Sequence, residues 1–94
     1  MLYIECTLKK SNNLREGDVI AEVTDFHGQK EQIQIEKKQL AVRSGRHFLP
    51  VWGVAQDHAK KLVEVELPLE SASGTSRIWV KADHLFVENQ AVPT

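Results

Sequence analysis

The chain contains a single cysteine, Cys6, among its 94 residues. One cysteine excludes an internal disulfide, so no such cross-link can staple the fold. The N-terminus also lacks the basic segment and long apolar run that are typical of a secretion signal. Together these two absences predict a protein of the reducing cytoplasm.

The chain also lacks a long apolar segment and an excess of either charge. No apolar run approaches the roughly 18 residues that a membrane-spanning helix needs, which predicts a soluble protein with no membrane partner. Twelve Lys and Arg residues stand against thirteen Asp and Glu residues, for a formal net charge of −1. The absence of an overall basic field argues against nucleic acid as the default partner, although a local basic patch stays possible.

Sequence signatures of catalysis are missing as well. The chain has no Gly-rich phosphate loop, no Gly-x-Ser-x-Gly elbow and no pair of catalytic carboxylates. Its four histidines lack metal-site spacing, and the pairs Asp57-His58 and Asp83-His84 are typical of solvent-facing turns. Cys6 is predicted to be a small buried residue. We therefore expect neither an enzyme nor a bound metal or cofactor.

What the sequence does contain is a series of short strand patterns separated by turns. Residues 62–67 alternate apolar and acidic side chains, residues 70–76 have turn composition, and residues 77–81 are strand-like again. This pattern predicts a hairpin. Its predicted inner face consists of Val63, Val65, Ile78 and Val80. In the first strand the predicted inner face consists of Leu2, Ile4, Cys6 and Leu8.

Further strands are predicted at residues 19–24, 32–36 and 48–54, with turns at residues 25–28 and 44–45. Residues 37–43 are predicted to be extended, because their neighbourhood is rich in β-branched side chains. Pro50 cannot donate a ladder hydrogen bond, so we expect it at a sheet edge or a bulge.

The patterns combine into an all-β prediction: a small, partly open barrel of six or seven strands. Turns that recur every eight to twelve residues are typical of such barrels. We expect one domain over residues 1–88 and a flexible C-terminal tail over residues 89–94. One short helical turn is expected near Ala82-Asp83-His84, followed by a last short strand at residues 85–87.

Residues 77–87, with the sequence Arg-Ile-Trp-Val-Lys-Ala-Asp-His-Leu-Phe-Val, resemble the close of Src-homology-3-like barrels. Residues 14–19 look like the Gly-Asp-hydrophobic opening of KOW and related ribosomal barrels, and residues 74–87 are similar in outline to PRC-type barrels. The resemblance implies a Src-homology-3-like fold. It does not imply polyproline binding, because the aromatic-acidic loop motif, paired tryptophans and Pro-Asn-Tyr segment of the peptide-binding members are missing.

Aromatic side chains provide the leading functional hypothesis. If Ile78 and Val80 face the core, Trp79 points outward between them, and by the same alternation Leu85 and Val87 point in while Phe86 points out. Exposed large apolar residues usually mark a binding or assembly surface. We therefore predict a module that binds a protein partner or a second copy of itself. The residues predicted to bind the partner are Trp79, Phe86, Trp52, Arg77 and Lys81.

The alternative is a barrel that binds RNA or another nucleic acid. Basic side chains cluster in several loops, and an aromatic ring in one of those loops could stack on a base. The residues predicted for this alternative are Lys9, Lys10, Lys37, Lys38, Arg43, Arg46 and Phe26.

Overall fold

A computed structural model describes residues 1–87, and the predicted tail at residues 89–94 lies outside them. The described part consists of eight strands and two single turns of 3-10 helix. The strands are β1 (Leu2–Lys9), β2 (Asp18–Thr24), β3 (Lys30–Glu36), β4 (Ala41–Arg43), β5 (Arg46–Asp57), β6 (Leu62–Glu66), β7 (Arg77–Lys81) and β8 (Leu85–Val87). The helical turns span Lys37–Gln39 and Ala82–His84.

All eight strands belong to one strongly curled antiparallel sheet, a half-barrel. The main path runs β3-β2-β1-β5-β6-β7, while β4 pairs with β5 and β8 pairs with β1. The prediction of a small all-β barrel is confirmed. The described strands outnumber the six or seven expected because Ala41–Arg43, predicted only as extended chain, forms the separate short strand β4 against β5.

The core lies on the concave side of the sheet, where the period-two patterns place their apolar residues. Side chains buried there include Ile33 and Ile35 of β3 and Leu49 of β5. The inner faces predicted from the sequence are confirmed, since these residues are buried: Ile4, Cys6, Val63, Val65, Ile78 and Val80. Leu2 and Leu8 are partly buried against the same cluster. Burial of one such aliphatic side chain contributes about 1.5–3 kcal/mol, so this face supplies most of the folding energy.

Two predicted turns are formed by residues suited to them. Arg43 pairs with Arg46, which leaves Ser44 and Gly45 as a two-residue connection with φ angles of 52° and 76°. Positive φ at both central residues is the geometry of the type I′ hairpin turn. At the β2–β3 turn, Asp25 Oδ1 accepts hydrogen bonds from the backbone N–H groups of His27 and Gln29 at 2.9 and 2.8 Å.

Pro50 lies in β5 beside Tyr3 of β1, at a point where the other edge of β5 is unpaired. The register with β4 ends at Phe48, and the register with β6 begins at Trp52. The predicted edge position is therefore confirmed: the missing N–H of proline costs least where one neighbouring strand has ended and the next has not begun.

Two expectations from the sequence need correction. Residues 37–43 are not extended throughout, because Lys37–Gln39 form a helical turn. The Leu40 N–H donates a hydrogen bond to the Lys37 carbonyl and so closes this turn. Val87 was expected to point into the core, but its side chain is 68% exposed. β8 is only three residues long and pairs with β1 at the margin of the sheet, so its last residue extends past the core.

The two ends of the sheet path approach each other without forming a continuous ladder. The Phe26 N–H at the β2–β3 turn donates to the Trp79 carbonyl of β7 at 2.9 Å. The Ala72 N–H of the β6–β7 loop donates to the Gln32 carbonyl of β3 at 2.8 Å. This seam leaves the barrel partly open, as the sequence predicted.

Candidate interaction surface

The convex side of β1, β5 and β8 carries a group of aromatic and apolar side chains. Tyr3 of β1 lies in register with Pro50 of β5 on one side and with Phe86 of β8 on the other. Phe48 and Trp52 occupy the same face of β5, because they are two residues away from Pro50 in each direction. We call these five residues, Tyr3, Phe48, Pro50, Trp52 and Phe86, the aromatic face.

Phe48 and Phe86 form a small packing unit at the centre of the aromatic face. Their ring centroids are 5.0 Å apart with an interplanar angle of 72°, an edge-to-face arrangement that matches the positive edge of one ring to the negative face of the other. Phe48 is buried beneath this contact, whereas Phe86 is 42% exposed. The pair thus forms a local apolar cluster outside the main core, with one ring still open to solvent.

The charged groups beside these rings neutralise each other. Arg46 donates two hydrogen bonds to the Glu5 carboxylate, from Nε to Oε2 at 2.6 Å and from Nη2 to Oε1. The Arg46 hydrogen bond lowers the pKa of Glu5, and the same bond raises the pKa of Arg46. The guanidinium carbon also lies 5.8 Å from the centroid of the Phe48 ring, within range of a cation–π contact. The border of the aromatic face is therefore polar but electrically balanced at this pair.

A groove of about 340 Å³ runs beside the exposed Phe86 ring. Its apolar lining includes Ala41, Phe48 and Val87, and Arg43 and Arg46 contribute the basic part of the rim. Phe86 is itself part of the groove wall, so its exposed portion and the groove belong to one surface.

The five residues predicted to bind a partner all lie on the convex side but do not form one cluster. Phe86 and Trp52 belong to the aromatic face. Trp79 lies on β7, half-buried and in register with Glu64 of β6, and the path from β8 to β7 crosses β1, β5 and β6. In the described sheet Trp79 therefore has no register partner on β1, β5 or β8, the strands that carry the aromatic face.

Arg77 and Lys81 accompany Trp79 on β7, and both are exposed. Arg77 Nε lies 3.5 Å from Glu66 Oε1 on β6, and Glu66 is in register with Trp52 on β5. Arg77 therefore lies between the two tryptophans at the rim of the aromatic face. Lys81 lies farther along β7, beside Leu62 of β6.

The residues predicted for nucleic-acid binding are distributed over different parts of the barrel. Phe26 lies at the turn that follows β2, and its ring centroid is 3.7 Å from that of His27. Lys37 and Lys38 follow β3 at the opposite end of the same hairpin. A seven-residue strand spans about 20 Å, so these lysines and the Phe26 ring do not meet.

The remaining basic residues of this set occupy two further positions, one at the end of β1 and one at the β4–β5 hairpin. Lys9 Nζ lies 3.9 Å from Glu22 Oε1, and Lys10 follows it just beyond the end of β1. Arg46 is paired with Glu5, and Arg43 lies at the end of β4, where its Nη1 is 3.4 Å from the Val42 carbonyl oxygen. These residues therefore do not form a single basic track with the aromatic ring.

The Asp-His pairs occupy turns. Asp57 Oδ1 accepts the backbone N–H of Lys60 at 3.1 Å across the β5–β6 connection, and His58 is exposed. Asp83 and His84 lie in the helical turn before β8, with His84 Nε2 4.0 Å from Asp83 Oδ1. Within residues 1–87, no group of three or more His, Cys, Asp or Glu side chains is arranged to hold a metal ion.

Cys6 lies on the inner face of β1, as predicted. It is 7% exposed, and burial raises the pKa of its thiol to about 11, with a smaller contribution from the nearby Glu5 charge. A thiol with this pKa is almost entirely protonated at neutral pH, which disfavours a role as a nucleophile. Among the described residues no helix is both long and apolar enough to cross a bilayer.

Three residues of the candidate surface were not selected from the sequence: Tyr3, Phe48 and Pro50. The alternation of β1 places Tyr3 opposite the apolar face, so this signal was available. Phe48 and Pro50 alternate with the buried Leu49 and Val51, but an unbroken apolar run hides that alternation.

Comparison of the chain with protein families, with curated proteins and with solved structures finds no match.

Proposed function

We propose that this chain is a non-catalytic interaction module that assembles with a second copy of itself through the aromatic face. The observation that carries the proposal is the Phe48–Phe86 pair, in which Phe86, 42% exposed, packs edge-to-face with the buried Phe48. Exposed rings of this kind stay in water at a cost in free energy, and a partner that covers them removes the cost.

A second copy is the partner that the aromatic face fits best. In a two-fold symmetric interface the same patch meets itself, so the patch must supply both a protrusion and the hollow that receives it. In the proposed dimer the exposed part of Phe86 enters the groove of the second copy, beside its Phe48 and Ala41. The Glu5–Arg46 pair neutralises its own charges, so two such faces can approach with little repulsion there.

We also propose that the half-barrel is Src-homology-3-like and that the protein acts in the cytoplasm. The succession of β7, one helical turn and β8 over residues 77–87 supports the first proposal. The lone cysteine supports the second, because its buried thiol suits a reducing compartment and has no disulfide partner in the chain.

The variant Phe86→Ser tests the assembly. Sedimentation velocity from about 10 µM to 1 mM should show concentration-dependent dimerisation of the unmodified chain, over the affinity range of weak dimers. The variant should dimerise at least roughly tenfold more weakly, since a central aromatic contact is worth 2 kcal/mol or more. Amide spectra should show that its fold is retained.

Two further variants keep this test decisive if Phe86→Ser disturbs the packing of Phe48. Trp52→Ser removes a 48%-exposed ring from the same face and should weaken the dimer as well. Trp79→Ser alters the separate position on β7 and should weaken it less. A chain that stays monomeric up to 1 mM, or a dimer unaffected by both Phe86→Ser and Trp52→Ser, would contradict the proposal.

A salt series with a single-stranded oligonucleotide tests the nucleic-acid alternative. Phosphate contacts weaken steeply as salt rises, whereas an apolar interface does not. We expect no amide shifts at low salt around Lys9, Lys37 or Phe26. Salt-sensitive shifts at all three positions would favour the alternative, and the dimer would then be the secondary property.

A further inference from the structure

The open seam of the half-barrel exposes one edge of β3. This strand pairs with β2 along its whole length, from Lys30 to Glu36. On its other side it meets the β6–β7 loop, where the Ala72 N–H donates to the Gln32 carbonyl at 2.8 Å. The chain itself thus begins to pair with this edge, at one end of the strand.

The direction of that bond shows which backbone groups face the seam. In an antiparallel ladder the N–H and C=O of one residue point to the same side, and the side alternates from residue to residue. Because Gln32 points its carbonyl to the seam, Gln34 and Glu36 direct their backbone groups there too. Ile33 and Ile35 direct theirs to β2, where they are in register with Ala21 and Val19.

A cleft of about 850 Å³ lies along this edge. Its walls are the outer side of the β2–β3 hairpin and residues 69–72 of the loop, among which Leu69 is 49% exposed. The cleft is thus large enough to accept several residues of an extended chain beside β3 and offers an apolar side chain to pack against.

The charge of the cleft selects the occupant. Four carboxylates line it, with one guanidinium, that of Arg15. The four acidic residues are Glu16, Asp18, Glu36 and Glu70. Asp18 Oδ2 also accepts the Gln34 side-chain amide at 3.0 Å, and Lys38 Nζ lies 3.2 Å from Glu36 Oε2. The lining keeps an excess of negative charge, which complements a basic segment and repels an acidic one.

We infer that the seam is a second binding site, distinct from the aromatic face, which takes an extended peptide rich in Lys or Arg as an added strand on β3. Backbone hydrogen bonds to Gln34 and Glu36 hold the peptide in this arrangement, and its basic side chains lie among the carboxylates. Strand addition of this kind uses the main chain for affinity and the side chains for specificity.

Backbone methylation of a probe peptide tests the pairing directly. The probe is an eight-residue peptide of alternating Lys and Val, compared with two versions that carry N-methyl groups on its odd or on its even residues. Only one set of amides can face β3, so one version should bind at least roughly tenfold more weakly and the other should bind nearly as the parent does. Equal affinities of both versions, or no binding of the parent at about 1 mM, would overturn the inference.

Amide hydrogen exchange supplies a control within the same strand. Binding of the probe should slow exchange at Gln34 and Glu36, whose N–H groups face the seam. Ile33 and Ile35 donate to β2 already, so their exchange should change little. Protection that does not follow this alternation would show that the peptide contacts the cleft without pairing with β3.

Charge variants separate specific recognition from general attraction. The double variant Glu16→Gln/Glu70→Gln should bind the probe roughly tenfold more weakly, since it removes two of the four carboxylates that face the basic side chains. The control Glu64→Gln/Asp83→Asn changes the net charge equally, at residues outside the cleft. An equal loss in both would contradict a site at the seam. Phe86→Ser should bind the probe unchanged, which separates this site from self-assembly.

Discussion

The convex side of this one sheet consists of two halves with opposite chemistry. On β2 and β3, Glu22 accepts a hydrogen bond from Gln32 Nε2 at 3.0 Å and lies 3.9 Å from both Lys9 Nζ and Lys30 Nζ. On β1, β5 and β8 the same convex side carries the aromatic face, with Trp52 and Phe86 nearly half exposed.

Both halves share the same backbone geometry, so the difference is not required by the fold. Polar side chains that pair with one another satisfy a water-facing strand completely, as Glu22 and Gln32 do. Exposed rings are stabilised only when another protein surface covers them. This difference supports the proposals that the aromatic face binds a second copy of the chain and that the β2–β3 half takes part in recognition only through its edge.

The largest expected effect is a difference in the free energy of unfolding that a single substitution removes from each half. Phe48→Ala removes the buried ring of the aromatic face and should lower the free energy of unfolding by about 3 kcal/mol. The matched change Gln34→Ala on the polar half should cost no more than about 0.5 kcal/mol. Urea unfolding of both variants measures these values. A loss below about 1 kcal/mol for Phe48→Ala would show that the aromatic face has no packed centre of its own.

A smaller effect is expected from the buried carboxylate on the concave side of β3. Glu31 is 5% exposed, and its Oε1 accepts hydrogen bonds from Ser71 Oγ and Ser73 Oγ at 2.8 and 2.6 Å. Glu31→Leu leaves these hydroxyls without their acceptor and should cost about 2 kcal/mol. Thermal unfolding measures the loss.

The isosteric variant Glu31→Gln is the control for that experiment. It keeps one acceptor oxygen and should cost less than Glu31→Leu. If the leucine variant were instead as stable as the unmodified chain, the hydroxyl contacts would not anchor the β6–β7 loop to β3. In that case, the polar contacts that stabilise β2 and β3 would lie only on the convex side of these strands.

The smallest effect concerns pH. Hydrogen bonds lower the pKa of Glu5, through Arg46, and of Glu22, through Gln32, from the ordinary value of 4.5. A carboxyl with a lowered folded pKa adds stability above pH 4.5, and this contribution is lost as the pH falls through the folded pKa.

Glu5→Gln and Glu22→Gln should therefore each reduce the drop in melting temperature between pH 6 and pH 3. Both carboxylates lie on the outer face of the sheet, where water and salt screen their interactions, so the changes should be small and should shrink further in 1 M salt. A larger change for Glu22→Gln than for Glu5→Gln would indicate that the polar half depends on its charges more than the aromatic face does.

Much of the fold could be predicted from the sequence because the period-two signal is local. The alternation of residues 77–81 placed Ile78 and Val80 inside and Trp79 outside, and the structure confirms that arrangement. The same signal failed at Val87, because alternation describes which side a residue faces and not whether the sheet extends far enough to cover it. The helical turn at Lys37–Gln39 was missed because three residues are too few to show a helical period in the sequence.

The candidate surface was only partly predictable for a related reason. Alternation assigned Trp52, Trp79 and Phe86 to outer positions, but it contains no information on which strands become neighbours. The register of β1 with β5 and β8 brings Tyr3 between Pro50 and Phe86, while three strands lie between β8 and β7. The sequence therefore grouped Trp79 with Phe86, whereas the register places only Phe86 beside Tyr3 and pairs Trp79 with Glu64.

The sequence by itself determined the strands, their turns and the side each residue faces, because those properties depend on residues close together in the chain. Tertiary structure alone decided which distant groups meet. Glu31 can lie on the inner face because hydroxyls from the β6–β7 loop donate hydrogen bonds to its carboxylate. Phe48 is buried on the outer face because the Phe86 ring packs against it. Long-range pairing, which local periodicity does not specify, also created both the aromatic face and the open edge of β3.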